Sequence, residues 1–340
     1  MNDMTRQTTK VLFLNRHGNE LIDYLQRGLD DPAIQLQRPA SDDREDLLAL
    51  TADADVLIGW SSDMELLEAA PKLKLFINPG TGITQHLENF RKIRKTRPVA
   101  LANGHGNSYA VAQHTVALLL ALANKVIPHH LKMVTNQPLG QPQHTVYFKN
   151  ITIGLLGYGA INTKVHRFLG GFDVKFAACR RTWDKQEEPA PTELARYTND
   201  QIDQFFTDCD VVINALPTTR VTRGIVTMTL LEQLGEGGLF VNVGRGATVV
   251  QEDLYQALKQ RTIAGAAIEV WWGRAPEPVD GRRDPYQFPF HELDNLVMSP
   301  HRGADSGGDL GRWDEVIENL KRVHAGRTDF LNVVDIDLEY

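Results

Sequence analysis

The sequence predicts an α/β protein of two doubly wound parallel-sheet domains, Rossmann-like and flavodoxin-like, with a cleft between them. Three observations carry the prediction. Short apolar runs alternate with helical patterns along most of the chain, the order that gives parallel sheets covered on both faces. One such run, Ile151 to Leu156, ends directly in Gly157-Tyr158-Gly159 and opens into a helical pattern. The chain has 340 residues, enough for two cores of ordinary size.

Taken in order, residues 1 to about 10 are polar and read as a frayed end. Val11 to Leu14 is a strand, and Glu20 to Gly28 a helix closed by its glycine. Val56 to Gly59 is a strand after the turn Asp53-Ala54-Asp55, and Met64 to Ala70 a helix stopped before Pro71. Leu73 to Ile77 is a strand, Gln85 to Lys95 a helix, and Val99 to Ala102 a strand. A long apolar-rich helix spans about Asn107 to Val126, followed by an exposed arm from Pro128 to Asn150 with no clear periodicity. Beyond Ile151 to Leu156 come a helix from Ala160 and strands at Val174 to Ala178, Val211 to Leu216, Leu239 to Val243, Ile263 to Val270 and Leu296 to Ser299. Gln251 to Lys259 is a helix, and a last helix at Leu310 to His324 returns to the first domain.

Ile151 to Leu156 is apolar at nearly every position, the mark of a strand buried on both faces. The glycine turn after it lets backbone approach a ligand. The helix starting at Ala160 and Ile161 then presents unpaired N–H groups and a partial positive charge. Strand, glycine turn, helix, strand is the setting of a dinucleotide site. Tyr158, inside the turn, either covers the cofactor or is simply exposed. The third glycine position holds Asn162, expected to loosen helix–strand packing slightly. The second strand ends in Arg180, Arg181 and Thr182, where NAD sites carry an acid. Guanidinium groups attract a 2′-phosphate that a carboxylate would repel, so NADP is expected in preference to NAD.

With 42% hydrophobic and 23% charged residues, the composition is that of a globular protein, and the net charge of −7 argues against nucleic acid. No apolar run reaches membrane-spanning length, and the first residues lack a signal-peptide pattern, so no membrane partner and a cytoplasmic location are expected. Cys179 and Cys209 lack metal-ligand spacing and read as buried thiols. His129-His130 has no third ligand in the sequence, so no metal is expected.

In doubly wound sheets, ligands bind beyond the carboxyl ends of the strands. Arg245, Glu269 and His301 stand at those ends. Carbonyl reduction by a nicotinamide needs a positioned hydride, a cation for the substrate carboxylate, and a general acid titrating near neutrality. Arg245 suits the second role and His301 the third. Backbone N–H groups of Thr81, Gly82 and Ile83 offer a further carboxylate contact. His105, between two glycines, is a candidate substrate contact, whereas His114 on the long helix reads as a packed or hydrogen-bonded histidine. Trp271 and Trp272 read as pocket walls or dimer packing.

These residues resemble the D-isomer-specific 2-hydroxyacid dehydrogenases over nearly the whole chain. The motifs are Gly80-Thr81-Gly82-Ile83, Ala110-Val111-Ala112-Gln113-His114, the glycine turn, Leu216-Pro217 with Thr222, Asn242-Val243-Gly244-Arg245-Gly246, Gly265-Ala266-Ala267-Ile268-Glu269-Val270 and Ser299-Pro300-His301. The resemblance implies a discontinuous substrate domain (1–106 and 305–340) and a dinucleotide domain (107–304). It implies a homodimer built on the helix and arm at about 107–150. It also implies that Arg245 binds a small anionic substrate, that His301 donates the proton, and that Glu269 sits near the nicotinamide carboxamide, where relatives usually carry aspartate. Leu216, Pro217, Thr222, Val243, Gly244 and Gly303 would line the cofactor. Cys179-Arg180-Arg181-Thr182-Trp183 is similar to NADPH-using glyoxylate/hydroxypyruvate reductases.

One position departs from the family. Five residues past Glu269, where a glutamate partners the catalytic histidine, stands Arg274. A carboxylate there raises a histidine pKa, and a cation lowers it. Glu277 is a substitute if the loop bends back. Arg245, Arg274 and Arg302 together suggest a substrate more anionic than a simple 2-oxo acid, such as a phosphonate or a dicarboxylate. Two other readings fit the same residues: an NADP(H)-sensing interaction protein without turnover, and oxidation in the manner of formate dehydrogenases.

Overall fold

A computed structural model of the chain describes residues 8–40, 43–137, 145–184, 189–273 and 284–340. The chain divides into two compact units, Met1–Asn107 with Ser306–Tyr340, and Ser108–Asp305.

The first unit contains β1 (Thr9–Phe13), α1 (Asn19–Leu29), β2 (Ile34–Gln37), α2 (Arg44–Thr51), β3 (Val56–Ile58), α3 (Met64–Ala69), β4 (Leu75–Asn78), α4 (Leu87–Ile93) and β5 (Ala100–Asn103). A C-terminal helix, Asp314–His324, belongs to the same unit. All strand pairs are parallel, in the order β2-β1-β3-β4-β5, which is the flavodoxin-like arrangement. Alternation along each strand splits the core in two. Val11, Phe13, Val56, Ile58, Leu75 and Ile77 pack under α1 and the C-terminal helix. Leu12, Leu57, Phe76 and Leu101 pack under α3 and α4.

Three details differ from expectation. Gly28 lies inside α1, which is closed instead by Asp30 in the left-handed conformation at φ 50°. A side chain at Gly28 would run into Ile317 of the C-terminal helix, so the glycine serves close helix packing. The strand β2 and the helix α2 were not anticipated by the periodicity.

The second unit contains α5 (Ser108–Ala123), α6 (Val126–Val134), β6 (Lys149–Leu156), α7 (Ala160–Leu169), β7 (Asp173–Cys179), β8 (Ala195–Tyr197), α8 (Ile202–Thr207), β9 (Val211–Asn214), α9 (Met228–Leu234), β10 (Leu239–Asn242), α10 (Gln251–Lys259), β11 (Gly265–Ile268) and β12 (Leu296–Met298). Its seven strands are parallel in the order β12-β11-β10-β9-β6-β7-β8. The order reverses between β6 and β9, the switch point at which such sheets bind ligands. Phe240, Ala266 and Ile268 pack toward α8, α9 and α10, and Val211, Ile213 and Val241 toward α5 and α7.

The long helix is shorter than predicted. It stops at Ala123, Lys125 turns left-handed at φ 54°, and α6 continues at 66° to α5. Part of the expected irregular arm is therefore helical, because Pro128 falls in the first turn, where proline is tolerated. None of the α6 residues is buried. No single helix among the described residues is long and apolar enough to cross a membrane.

Candidate functional site

At the switch point, Gly157 adopts φ 81°, a left-handed conformation that side-chain-bearing residues rarely hold. Its N–H donates to Cys179 O at 2.9 Å, tying the turn to the end of β7. Gly159 caps α7 without a side-chain hydrogen bond. Among the described residues the N–H groups of Ala160 and Ile161 have no acceptor, and there is open space beside Gly159. This cradle suits a pyrophosphate.

Two expectations at the turn are corrected. Asn162 does not loosen the packing. It is fully buried, and its Nδ2 donates to Leu156 O (3.3 Å), Gly157 O (2.8 Å) and Ile213 O (3.1 Å), lacing the ends of β6 and β9 to α7. Tyr158 is neither exposed nor a lid: its side chain is buried and its hydroxyl meets His166 Nδ1 at 2.9 Å. Only its main chain faces the turn.

The arginines follow directly on β7. The Arg180 N–H donates to Tyr197 O of β8 at 3.2 Å, and its guanidinium carbon lies 5.4 Å from the Trp183 ring centre. Arg181 is exposed. The Thr182 hydroxyl donates to Asp184 Oδ2 at 2.7 Å. Both cysteines are buried and free, and burial pushes the Cys179 thiol up to about 12.

Past the switch point, β9 and β10 each end in a buried asparagine. Asn214 Nδ2 donates to Asn242 Oδ1 (3.1 Å) and to Thr248 Oγ1 (2.8 Å). Asn214 Oδ1 accepts from Leu216 N–H, and Asn242 Oδ1 accepts from Gly244 N–H. These bonds set the loops that carry Leu216, Pro217, Val243 and Gly244. The Thr222 hydroxyl is used inside its own loop, donating to Pro217 O at 2.5 Å and accepting from Thr219 N–H at 2.8 Å. Thr222 therefore acts as a loop staple.

Arg245 follows β10, with its carbonyl held by Thr248 Oγ1 at 2.7 Å and its Nη1 donating to Gly244 O at 2.6 Å. Burial lowers its guanidinium from the ordinary arginine value, without removing the charge. Among the described residues it has no carboxylate partner. Glu269 follows β11 and is 2% exposed. Its Oε2 lies 3.1 Å from His114 Nε2, and its Oε1 accepts from Gly303 N–H at 2.5 Å. His114 Nε2 is also 2.9 Å from Ser299 Oγ. His114 is thus a hydrogen-bonded histidine, as its place on the helix suggested.

His301 follows β12, exposed and left-handed at φ 59°. Arg245, Glu269 and His301 therefore stand beyond the carboxyl ends of three adjacent strands. Arg302 points elsewhere, pairing with Asp305 at 2.5 Å. Arg274 and Glu277 lie outside the described residues. Trp271 and Trp272 are packing residues of this unit, donating to Ser299 O (2.9 Å) and Val249 O (2.7 Å) and packing around Phe290.

In the first unit, the carbonyls of the 80–82 loop are all held. Gly80 O and Gly82 O accept from Asn78 Nδ2 at 2.5 and 2.8 Å, and Thr81 O accepts from Asn103 Nδ2 at 2.9 Å. Asn78 Oδ1 is met by His86 Nε2 at 3.2 Å, and His86 Nδ1 by Ser62 Oγ at 2.9 Å. Among the described residues, the N–H groups of Thr81, Gly82 and Ile83 find no acceptor. Such a row of unused N–H groups suits an anion. The Ile83 side chain is core, 5% exposed, so only its main chain can serve. The His105 N–H is taken by Glu315 Oε2 at 2.7 Å.

Asn78, His86, Asn214 and Thr248 were not singled out from the sequence, and Asn242 entered only as part of a motif. The available signal was an asparagine ending each of the apolar runs at 75–78, 100–103, 211–214 and 239–242.

Residues 116–303 match the family model for the NAD binding domain of D-isomer specific 2-hydroxyacid dehydrogenases. The chain is 27% identical to glyoxylate/hydroxypyruvate reductase A of Photorhabdus laumondii over 301 residues, covering 84% of this chain and 88% of that one. It is 25% identical to the Yersinia enterocolitica protein of the same name, covering 89% and 93%. Among solved structures, a D-isomer specific 2-hydroxyacid dehydrogenase from Xanthobacter autotrophicus in complex with NADPH and MES superposes with TM-score 0.78 at 22% identity, covering 98% of this chain and all of that one. An NADPH-dependent glyoxylate/hydroxypyruvate reductase from Sinorhizobium meliloti, in complex with NADP and sulfate, gives TM-score 0.75 at 21% identity, covering 98% and 100%. These two likenesses speak to the fold. The family match spans more than half of the chain and covers both the glycine turn and the three strand ends, so the protein belongs to the D-isomer-specific 2-hydroxyacid dehydrogenases and is an NAD(P)-dependent oxidoreductase.

Proposed function

We propose that this chain is an NADPH-preferring reductase of small 2-oxo acids of the glyoxylate or hydroxypyruvate kind, yielding the D-2-hydroxy acid. The observation that carries the reading is the row Arg245, Glu269, His301 beyond adjacent strands β10, β11 and β12. Their outer strands are about 10 Å apart at ordinary sheet spacing, a span that accommodates a two- or three-carbon acid between a cation and a proton donor.

When bound, a nicotinamide dinucleotide supplies the hydride. Arg245 pairs with the substrate carboxylate and draws electron density from the neighbouring carbonyl. Its single neutral acceptor, Gly244 O, leaves most of its donors for that task. His301 gives its proton to the carbonyl oxygen as the alcohol forms. Glu269, held by His114 and Gly303, would accept from the carboxamide of the ring. The Thr81, Gly82 and Ile83 N–H groups are donors suited to a carboxylate, and the Thr81 hydroxyl donates to Gly104 O at 3.1 Å, next to His105 in the chain. Ala160 and Ile161 hold the pyrophosphate, and Arg180 with Arg181 favours the 2′-phosphate. A charge beyond one carboxylate finds no support at Arg302, which is paired with Asp305. The exposed Val126, Leu131, Met133 and Val134 of α6, each more than half accessible, support self-association as a homodimer. The two free buried thiols fit a reducing, cytoplasmic setting.

A panel of 2-oxo acids assayed with NADPH and with NADH tests this reading. The expected result is oxidation of NADPH by glyoxylate or hydroxypyruvate in clear preference to NADH. NADPH binding that changes oligomer size, with no turnover on any 2-oxo acid, would replace the reductase with a cofactor sensor.

A further inference from the structure

We propose that Arg196, on the edge strand β8, is a third cation of the 2′-phosphate site, and that Trp183 is the platform against which both it and Arg180 lie. The inference rests on the NADPH reading above. Arg196 is separated in sequence from the Arg180-Arg181 pair and belongs to no glycine or strand-end motif. The fold brings it there. Ala178 of β7 pairs with Arg196, and Cys179 with Tyr197, so β8 ends level with β7.

The Trp183 ring centre is 4.9 Å from the Arg196 guanidinium carbon and 5.4 Å from that of Arg180. The indole is itself fixed: its Nε1 donates to Tyr197 O at 3.0 Å, and its ring lies 5.9 Å from that of buried Tyr158. Tyr158 belongs to the glycine turn, and Gly157 N–H is bonded to Cys179 O. The platform is therefore tied to the pyrophosphate cradle by a short series of contacts within one unit.

Stacking on an aromatic face holds a guanidinium by its π surface and leaves its edge N–H donors for an oxyanion. Two like charges against one ring repel each other. Among the described residues neither Arg180 nor Arg196 has a carboxylate partner to offset this. A phosphate dianion bridging the two edges relieves the repulsion and uses the donors. A 2′-hydroxyl does neither, so the arrangement discriminates between the two cofactors.

The test is calorimetric binding of NADP+ and NAD+ to the intact protein without substrate. Arg196→Gln should weaken NADP+ by about tenfold, the loss of one charge-assisted contact, and leave NAD+ within about twofold. Arg196→Lys should recover part of the loss. Trp183→Leu should weaken NADP+ at least as much, and Trp183→Phe less, because a ring face remains. Adding Arg196→Gln to Trp183→Leu should then cost less than it does alone, since both act through one contact. Unchanged NADP+ affinity in Arg196→Gln, with wild type still preferring NADP+, overturns the inference and leaves the NADPH reading standing. Equal wild-type affinity for both cofactors removes the NADPH reading itself.

Discussion

His114 Nε2 lies 3.1 Å from Glu269 Oε2, joining the α5 helix to a carboxylate that is almost entirely withdrawn from water. The other oxygen of that carboxylate is held by Gly303 N–H. Removing His114 leaves a buried acceptor short of a donor, which costs about 1–3 kcal/mol. His114→Ala should lower the unfolding free energy of the second unit by that amount, read from denaturant titration. It should also weaken dinucleotide binding, because Glu269 loses its fixed orientation. Full stability with unchanged affinity would show the contact to be idle.

Asn162→Gly restores a glycine to the third fingerprint position and should make the protein worse. The variant loses three donations to Leu156 O, Gly157 O and Ile213 O, and places a glycine inside a helix at a cost of about 1 kcal/mol. Thermal unfolding should show a clear drop in Tm, and cofactor affinity should fall because the turn is no longer laced to β9. A more stable or tighter-binding Asn162→Gly variant would contradict this account of the turn.

His301→Ala should reduce kcat by about 10²–10⁴, the usual worth of a positioned general acid, while the Kd for NADPH stays within about twofold. Arg245→Lys keeps the charge but loses the planar fork. It should act mainly on KM for the 2-oxo acid, and removal of the charge in Arg245→Gln should cut kcat/KM by about 10- to 100-fold. Equal activity of wild type and Arg245→Gln would remove Arg245 from the substrate site.

Burial holds both His86 and His166 down to about 4, against 6.5 for a free histidine. The unfolded chain takes up these protons below pH 6.5, whereas the folded chain refuses them until about pH 4. The unfolded state therefore binds more protons across that window, and stability is lost as pH falls through it. Denaturant midpoints measured from pH 7.5 to pH 5 should decline. The slope should be shallower in His86→Gln for the first unit and in His166→Gln for the second. A slope identical to wild type in both variants would assign the pH dependence to other groups.

The parts of the fold most legible in the sequence were the central strands. Val211–Asn214 and Leu239–Asn242 are buried at every position, so they read as continuous apolar runs. The missed strands are edges. Ile34–Gln37 alternates with glutamines, and Ala195–Tyr197 is half polar, because each has a neighbour on one side only. Strand ends carrying Arg245, Glu269 and His301 were readable because a polar residue interrupts an apolar run there. Arg196, His86 and the Asn214–Asn242 pair were not, since each gains its role from a partner distant in the chain or across strands. Asn162 was misread for a different reason. The fingerprint describes the space that a glycine leaves, and says nothing of the carbonyls that an amide can reach from the same place.

The left-handed backbone at His301 has a practical consequence. Asparagine and glycine enter that conformation more readily than other residues, so His301→Asn should preserve the loop while removing the proposed proton donor. Such a protein, loaded with reduced cofactor and a 2-oxo acid, would stall before turnover. Crystals grown in that state would show how cofactor and acid lie against one another.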